Sequence, residues 1–505
     1  MRRRELIRTT GAAAVVAALP ACDPQPVVPS ARFAWGVASG DPTSRAVMVW
    51  TRLAVDRDTT IRCDVFRDAS ERELVTSASA SAMPARDGCV KLDVVGLEPA
   101  TTYYFRFVTE EGDASPLGRT RTLPEGEVAR MRLAFVTCTN FAYGLFHGYR
   151  RIAERADLAL VVHLGDTIYE YADGVYGDLR ALDPPRETVT LEDYRRRHAH
   201  YRLDPDLKEM QRQHPIVPIW DDHEFANNAH TTGSLTHDPV TQGAWSDRVA
   251  AAKQAFFEWT PTRDETQVHR SLELGSLARL VLLDARMDGR EAPPIDTVDW
   301  MRSDRRLVSD AQEAWLGELV SGDDVAYTVL GNQVVLAPFA ALENLDAWDG
   351  FPAQRQRVMQ ALSAAPSLPI VMTGDTHGSL ALDLPGPTYA ADTQLGSIGV
   401  EWGAPALASP HFTGEASRAR ESMLLEATPH LRFTEQEKKG YVLLDLDDTR
   451  ARAEWWLVED ATRADGNRET LTAAFEARAD DRASREAELA PSPVIEGAPS
   501  LAPDR

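Results

Sequence analysis

Cysteine is scarce, with four in 505 residues. That excludes a disulfide-knit secreted scaffold, in which a small core depends on dense cross-links. Long apolar runs are missing too: outside the N-terminus none approaches the roughly 20 residues of a membrane-spanning helix. Basic charge is in deficit, with 54 Lys and Arg against 77 Asp and Glu and a formal net charge of -23. A surface that acidic argues against sequence-independent nucleic-acid binding, which needs clustered Lys and Arg. It leaves room for an anionic substrate, because a bound cation reverses the field inside a cleft. No internal repeat is visible. What is present, 43% hydrophobic and 26% charged residues, marks globular protein, and the length suggests two or three domains.

The N-terminus reads as an address. Arg2-Arg3-Arg4-Glu5-Leu6-Ile7-Arg8 is a twin-arginine pattern, followed by a short Ala/Val-rich run and then Leu19-Pro20-Ala21-Cys22. The expectation is export by the twin-arginine machinery to the periplasm or cell surface. Leu-Pro-Ala-Cys resembles a bacterial lipoprotein cleavage box, which implies lipid on Cys22 and membrane attachment; secretion without lipid is the alternative. Residues 1–22 form this signal and 23–32 a proline-rich linker.

Residues 33–123 read as all-β. Val47-Met48-Val49-Trp50-Thr51, Ile61-Arg62-Cys63-Asp64-Val65 and Val90-Lys91-Leu92-Asp93-Val94 are short β-branched or alternating runs. Leu97-Glu98-Pro99 leads into the aromatic-rich Tyr103-Tyr104-Phe105-Arg106-Phe107, which looks like the late strands of an immunoglobulin or fibronectin III-like sandwich. Cys63 and Cys89 both fall here and are a candidate disulfide in an oxidising compartment, although sequence alone cannot place them within bonding distance.

From 124 to 460 strands and helices alternate, the mark of an α/β domain. Strand-like runs end at Cys138, Asp166, Asp221-Asp222-His223, Asp284 and Asp375-Thr376-His377. Helical stretches cover 149–155, 191–200, 247–259 and 310–319, and 440–446 with 452–458 read as a closing hairpin. Residues 461–505 are expected to be a frayed helix and disordered tail.

Several strand ends carry metal-type ligands: Cys138, Asp166 with Tyr169, Asp222-His223, and Asp375 with His377. Open α/β sheets bind ligands beyond the carboxyl ends of their strands. Singly each has a bland reading: Cys138 as an inert buried thiol, Gly165-Asp166 as a turn, Tyr169 as a packing residue. Jointly they suggest a metal centre.

These blocks resemble the PhoD-like branch of the calcineurin-like metallophosphoesterases. Phe33-Ala34-Trp35-Gly36-Val37-Ala38-Ser39-Gly40-Asp41-Pro42 is similar to that family's N-terminal domain. Val136-Thr137-Cys138-Thr139-Asn140, His163-Leu164-Gly165-Asp166-Thr167-Ile168-Tyr169-Glu170-Tyr171 and Trp220-Asp221-Asp222-His223-Glu224 are similar to its catalytic blocks. Asp346-Ala347-Trp348-Asp349-Gly350-Phe351 and Thr373-Gly374-Asp375-Thr376-His377 continue the match. The general metallophosphoesterase has Asp-x-His where Cys138-Thr139-Asn140 stands, and lacks the tyrosine.

The resemblance implies a metallophosphoesterase-type αββα sandwich behind the β domain, and a cluster of iron(III), Fe3+, with calcium, Ca2+. Cys138 and Tyr169 would bind iron, Asp166 would bridge iron to calcium, and Asp222, Asp375 and His377 would complete the set. The chemistry agrees: a phenol and a thiol titrate near about 10 and about 8.5, so ligating both as anions calls for a strong Lewis acid, while calcium takes carboxylate oxygen. Asp222 and His223 are the catalytic candidates. His223 either contacts the phosphoryl group or protonates the leaving alkoxide, or else it merely orients Asp222. Arg286 and Asn140 are candidate substrate contacts, with an Arg286–Asp284 pair as the alternative; Asp221, Asn227 and Asn228 are further candidates. The expected activity is that of an exported, monomeric alkaline phosphatase or phosphodiesterase. A phospholipase D-type activity on phospholipids, or a non-catalytic surface-anchored binding protein, are the alternatives.

Overall fold

A computed structural model describes residues 28–322 and 324–504. The twin-arginine segment, Cys22 and the start of the linker lie outside the described residues. Among those described, no helix is long and apolar enough to cross a membrane.

Alternation builds the N-terminal unit. In the strand Thr59–Phe66, Ile61, Cys63 and Val65 turn inward while Thr60 and Arg62 face solvent. This strand lies in a four-stranded sheet with Leu74–Ala82, Thr102–Thr109 and Gly118–Arg121. Val37–Gly40, Ala46–Arg52 and Cys89–Val95 form the facing layer, and Val47, Val49, Cys63, Val65, Phe105 and Phe107 fill the space between. The unit is therefore all-β and has its own core.

It is joined to the rest through the backbone. Val37–Gly40 pairs in parallel with Pro215–Pro218, so the N-terminal layer continues into an eleven-stranded sheet. Gly40 sits at this seam, where a Cβ would come within 2.4 Å of the Ile216 carbonyl oxygen.

Two mixed sheets carry the larger domain. The first places Arg130–Thr139, Leu160–His163 and Pro215–Pro218 side by side in parallel. The second, seven-stranded, runs Ala278–Leu282, Tyr327–Asn332, Leu368–Thr373 and Leu395–Gly403 in parallel at its centre. One core holds Phe135 and Val161 of the first sheet with Leu280, Leu282 and Ile370 of the second. The alternate residues Val281, Leu330 and Val371 face a second core with Leu316, Val358 and Leu362 of the helices Asp310–Val320 and Pro352–Ala364. All the parallel strands therefore deliver their C-terminal ends to one edge.

Two expectations are corrected. Cys63 and Cys89 are both free. Cys89 pairs with Arg52 and shares the face of Trp50, against Trp259, whereas Cys63 turns into the core on the other side of that layer. The C-terminal region is neither helical nor disordered. Glu469–Ala477 pairs antiparallel with Ala451–Val458, burying Leu471, Ala473, Phe475 and Ala477. Beyond it a Pro-rich strap is fixed by partners outside itself. Arg130 donates to the Pro493 carbonyl at 2.7 Å, and the Gln213 amide makes reciprocal bonds of 2.8 and 2.9 Å with the Ala502 backbone. A chain unable to pair with itself is ordered by side chains of the domain beneath it.

Candidate metal centre

The chain turns sharply at the ends of three strands, Arg130–Thr139, Leu160–His163 and Leu368–Thr373. Cys138, Asp166, Asp375 and His377 all adopt left-handed backbone, with φ of 54°, 58°, 63° and 62°. Non-glycine residues hold that conformation at a cost, and such positions cluster at functional sites. The preceding glycines are dictated by crowding. A Cβ on Gly165, whose φ is 108°, would lie 2.4 Å from the Asp221 Cβ, and one on Gly374 would lie 2.5 Å from the Thr137 hydroxyl. Close approach of the loops is what requires Gly-Asp twice.

These turns bring the expected ligands together in overlapping groups. Donor atoms of Cys138, Asp166 and His377 lie within 4.8 Å of one another, as do those of Asp166, Asp222 and His223, and those of Asp221, Asp222 and Asp375. Asp166 belongs to both the sulfur-containing group and the group with Asp222 and His223. The Tyr169 hydroxyl donates to Asp166 Oδ2 at 3.0 Å, lies 3.3 Å from His377 Nε2, and accepts from Ser409 Oγ at 2.8 Å. His377 Nδ1 donates to the Pro410 carbonyl at 2.7 Å, which leaves its Nε2 lone pair toward the cluster.

The donor set fits a cation. Among the described residues, Asp221 Oδ2 and Asp222 Oδ1 are buried without a hydrogen-bond partner, a costly state that further positive charge would relieve. Burial, reinforced by Asp166, pushes the Cys138 thiol and the Tyr169 phenol well above their ordinary range. Burial and neighbouring carboxylates likewise raise Asp166, and Asp375 rises to about 6. The protein alone thus resists ionising these ligands, and a bound cation would offset that resistance.

His223 is set apart from them. Burial disfavours its charge, but Asp222, Glu170 and Asp166 outweigh burial and raise its pKa well above the ordinary imidazole value. Conversely Asp222, despite burial, is held at about 2 by His223, Arg286 and the Asn228 N–H. His223 Nδ1 donates to Glu170 at 2.8 Å, and its ring stacks on Tyr169 with centroids 4.2 Å apart.

The other candidate residues have partners within the protein. The Asn140 amide is engaged within the protein: it donates to the Tyr176 carbonyl at 2.6 Å and accepts from the Ala142 N–H at 2.9 Å. The fully buried Arg286 lies within the acidic cluster, its guanidinium paired with Asp221 and Asp346 and 3.6–3.7 Å from Asp375 and Asp222. From Arg286, Asp284 receives the backbone N–H, at 3.0 Å, and not the guanidinium; Trp220 Nε1 and the Met287 N–H donate to the same carboxylate. Asn227 and Asn228 contribute backbone N–H groups, to Glu170 and Asp222.

Sequence reasoning missed the supporting shell. Glu224 accepts from the N–H groups of Asp166, Thr167 and Asp221 at 3.0, 2.6 and 2.8 Å, tying two ligand loops to one carboxylate. Glu170 and Glu224 stand inside the motif blocks and could have been found there. Ser409, Pro410 and Asn344, whose amide reaches Asp375 at 3.3 Å, come from loops with no local signal.

Residues 133–455 match the family described as PhoD-like phosphatase, and residues 19–124 match the PhoD-like phosphatase N-terminal domain. The chain is 32% identical to alkaline phosphatase D of Bacillus subtilis (strain 168) over 460 residues, covering 84% of this chain and 77% of that one. It superposes on a solved structure of PhoD with a TM-score of 0.83 at 30% identity, covering 94% and 95% of the two chains. The chain belongs to the PhoD-like phosphatase family and, with it, is a phosphoric ester hydrolase.

Proposed function

We propose that the chain hydrolyses phosphate monoesters and diesters at a centre of iron(III) and calcium, after export by the twin-arginine pathway and lipidation at Cys22. The observation that carries the metal reading is the sharing of Asp166 between the Cys138–His377 group and the Asp222–His223 group. Cys138, Tyr169, His377 and Asp166 would hold iron, and Asp166, Asp222 and Asp375 calcium. Bound there, the metals would neutralise phosphoryl charge and supply an activated oxygen nucleophile.

The remaining work falls to side chains. His223, its Nδ1–H committed to Glu170, keeps Nε2 for donating a proton to the departing alkoxide. Arg286 holds Asp221 in place from within the cluster. The Glu224 clamp keeps the Asp166 and Asp221 loops in register. An αββα arrangement of the two sheets accords with this reading. Turnover of nitrophenyl phosphate and bis-nitrophenyl phosphate by metal-loaded protein tests it; no hydrolysis of either would sink it.

One observation favours a phospholipid substrate as the second reading. Val175, Leu345 and Phe412 are 64%, 43% and 41% exposed, and each is next in sequence to a residue in or beside the centre: Tyr176, Asn344 and His411. Apolar side chains so placed suit an acyl chain. Choline release from phosphatidylcholine vesicles separates the readings, and hydrolysis of soluble esters alone counts against it.

A further inference from the structure

Arg202 follows the helix Leu191–Tyr201 as its C-cap and is buried. Its Nε donates to the Trp35 carbonyl at 3.1 Å, and its guanidinium carbon lies 4.2 Å from the centroid of the Trp50 ring. Both contacts cross from the catalytic domain to the N-terminal unit. Arg202 Nη2 is buried without a partner. Burial lowers the pKa to about 9, and only the Cys89 thiol opposes that shift, so no carboxylate among the described residues compensates the charge.

Other buried arginines here are treated differently. Arg132, Arg248 and Arg286 each face a carboxylate, that of Asp157, Glu187 and Asp221 respectively. Arg197 has no such partner but spends its Nη atoms on carbonyls, among them those of Tyr169, Tyr171 and Pro184. An uncompensated, under-bonded buried cation is costly.

Beside Arg202 lies a cavity of about 40 Å³, also lined by Gln211, Trp259, His198, Tyr201 and Thr167. Trp259 Nε1 and Gln211 Oε1 are likewise buried without partners. The Gln211 amide can present its nitrogen instead by rotating its terminal group. The volume exceeds the roughly 10–15 Å³ needed for one water. Water would satisfy the N–H groups but leave the charge unbalanced; an anion does both, and the small volume favours a monatomic one.

We propose that this interdomain cavity binds chloride, held by Arg202 Nη2 and Trp259 Nε1. The consequence reaches the metal centre. Thr167 and Ile168 line the cavity within the loop that carries Asp166 and Tyr169, and the Tyr201 hydroxyl accepts the Tyr169 N–H at 3.2 Å. A filled cavity braces that loop from behind and fastens the two domains together.

The test uses the full-length, metal-loaded protein. Crystals grown in sodium bromide are measured at the bromine edge, and thermal unfolding is compared in sodium chloride and sodium gluconate at equal ionic strength. The expected results are an anomalous peak within hydrogen-bonding distance of Arg202 Nη2 and a saturable rise in Tm of about 2–3 °C in chloride. Trp259→Phe, which removes the indole N–H while keeping an aromatic ring, should lower the bromide peak and shrink the thermal shift. Arg202→Gln should abolish both if it folds, and Trp259→Phe decides the matter if it does not. An empty anomalous map in the cavity, or equal Tm in the two salts, overturns the proposal and leaves ordered water as the occupant.

Discussion

Glu170 accepts a 2.8 Å hydrogen bond from Nδ1 of His223, with its other oxygen taking the Asn227 N–H at 2.8 Å. The carboxylate fixes which ring nitrogen is spent and helps keep the imidazole protonated. The imidazole is itself held, by a residue three positions before Asp173 in the loop that carries Tyr169.

Replacing Glu170 by Gln retains a polar side chain but removes the charge. The pKa of His223 should fall, so the basic limb of the pH–kcat profile moves to lower pH, and kcat should drop about 100-fold. KM should change little, since the substrate-facing nitrogen remains. A pH profile identical to wild type would remove His223 from the proton-donor role.

Gly165→Ala should cost about 3 kcal/mol or more, because the new Cβ meets Asp221 at 2.4 Å while the backbone is left-handed at φ 108°. Denaturant unfolding reads this as a lower midpoint with unchanged slope. An alanine variant of wild-type stability would mean that the two ligand loops are not pressed together here.

These glycines show what was legible. Apolar strands ending in Gly-Asp announced both ligand loops, and Cys138, Tyr169, Asp222 and His377 stood at the ends or turns where an α/β edge needs them. Motif blocks covered the centre because its ligands are local to strand ends. Ser409, Pro410 and Asn344 were not legible, since they reach the site through long-range packing of otherwise ordinary loops. The strand Glu469–Ala477 was hidden by helix-forming Ala and Glu, and only its pairing with Ala451–Val458 makes it a strand. The Cys63–Cys89 pairing failed on side-chain parity, which depends on knowing which strands face each other.

The strap gives a further prediction. Gln213→Leu removes both amide bonds to Ala502 and should lower stability by about 1–3 kcal/mol. Limited proteolysis should then cut first within 490–504. Proteolysis at the wild-type rate would show that the Gln213–Ala502 bonds do not anchor the strap.

Acid sensitivity follows from buried histidines. Burial lowers both His198 and His214 to about 3, with Arg197 and Arg119 respectively adding to the effect. For a base whose folded pKa is depressed, stability is complete above the ordinary value of about 6.5 and is lost as pH falls toward the folded value. Each should cost about 2 kcal/mol by pH 5. His214→Gln should flatten the fall in stability between pH 7 and 5, and an unchanged slope would count against this origin.

The most direct test of the central claim is the metal content of folded, exported protein beside its Asp166→Ala and Cys138→Ala variants. A shared Asp166 predicts iron and calcium in the wild type, loss of both in Asp166→Ala, and loss of iron with calcium retained in Cys138→Ala. Hydrolysis of bis-nitrophenyl phosphate should vanish in both variants. Full metal occupancy and turnover in Asp166→Ala would contradict the account.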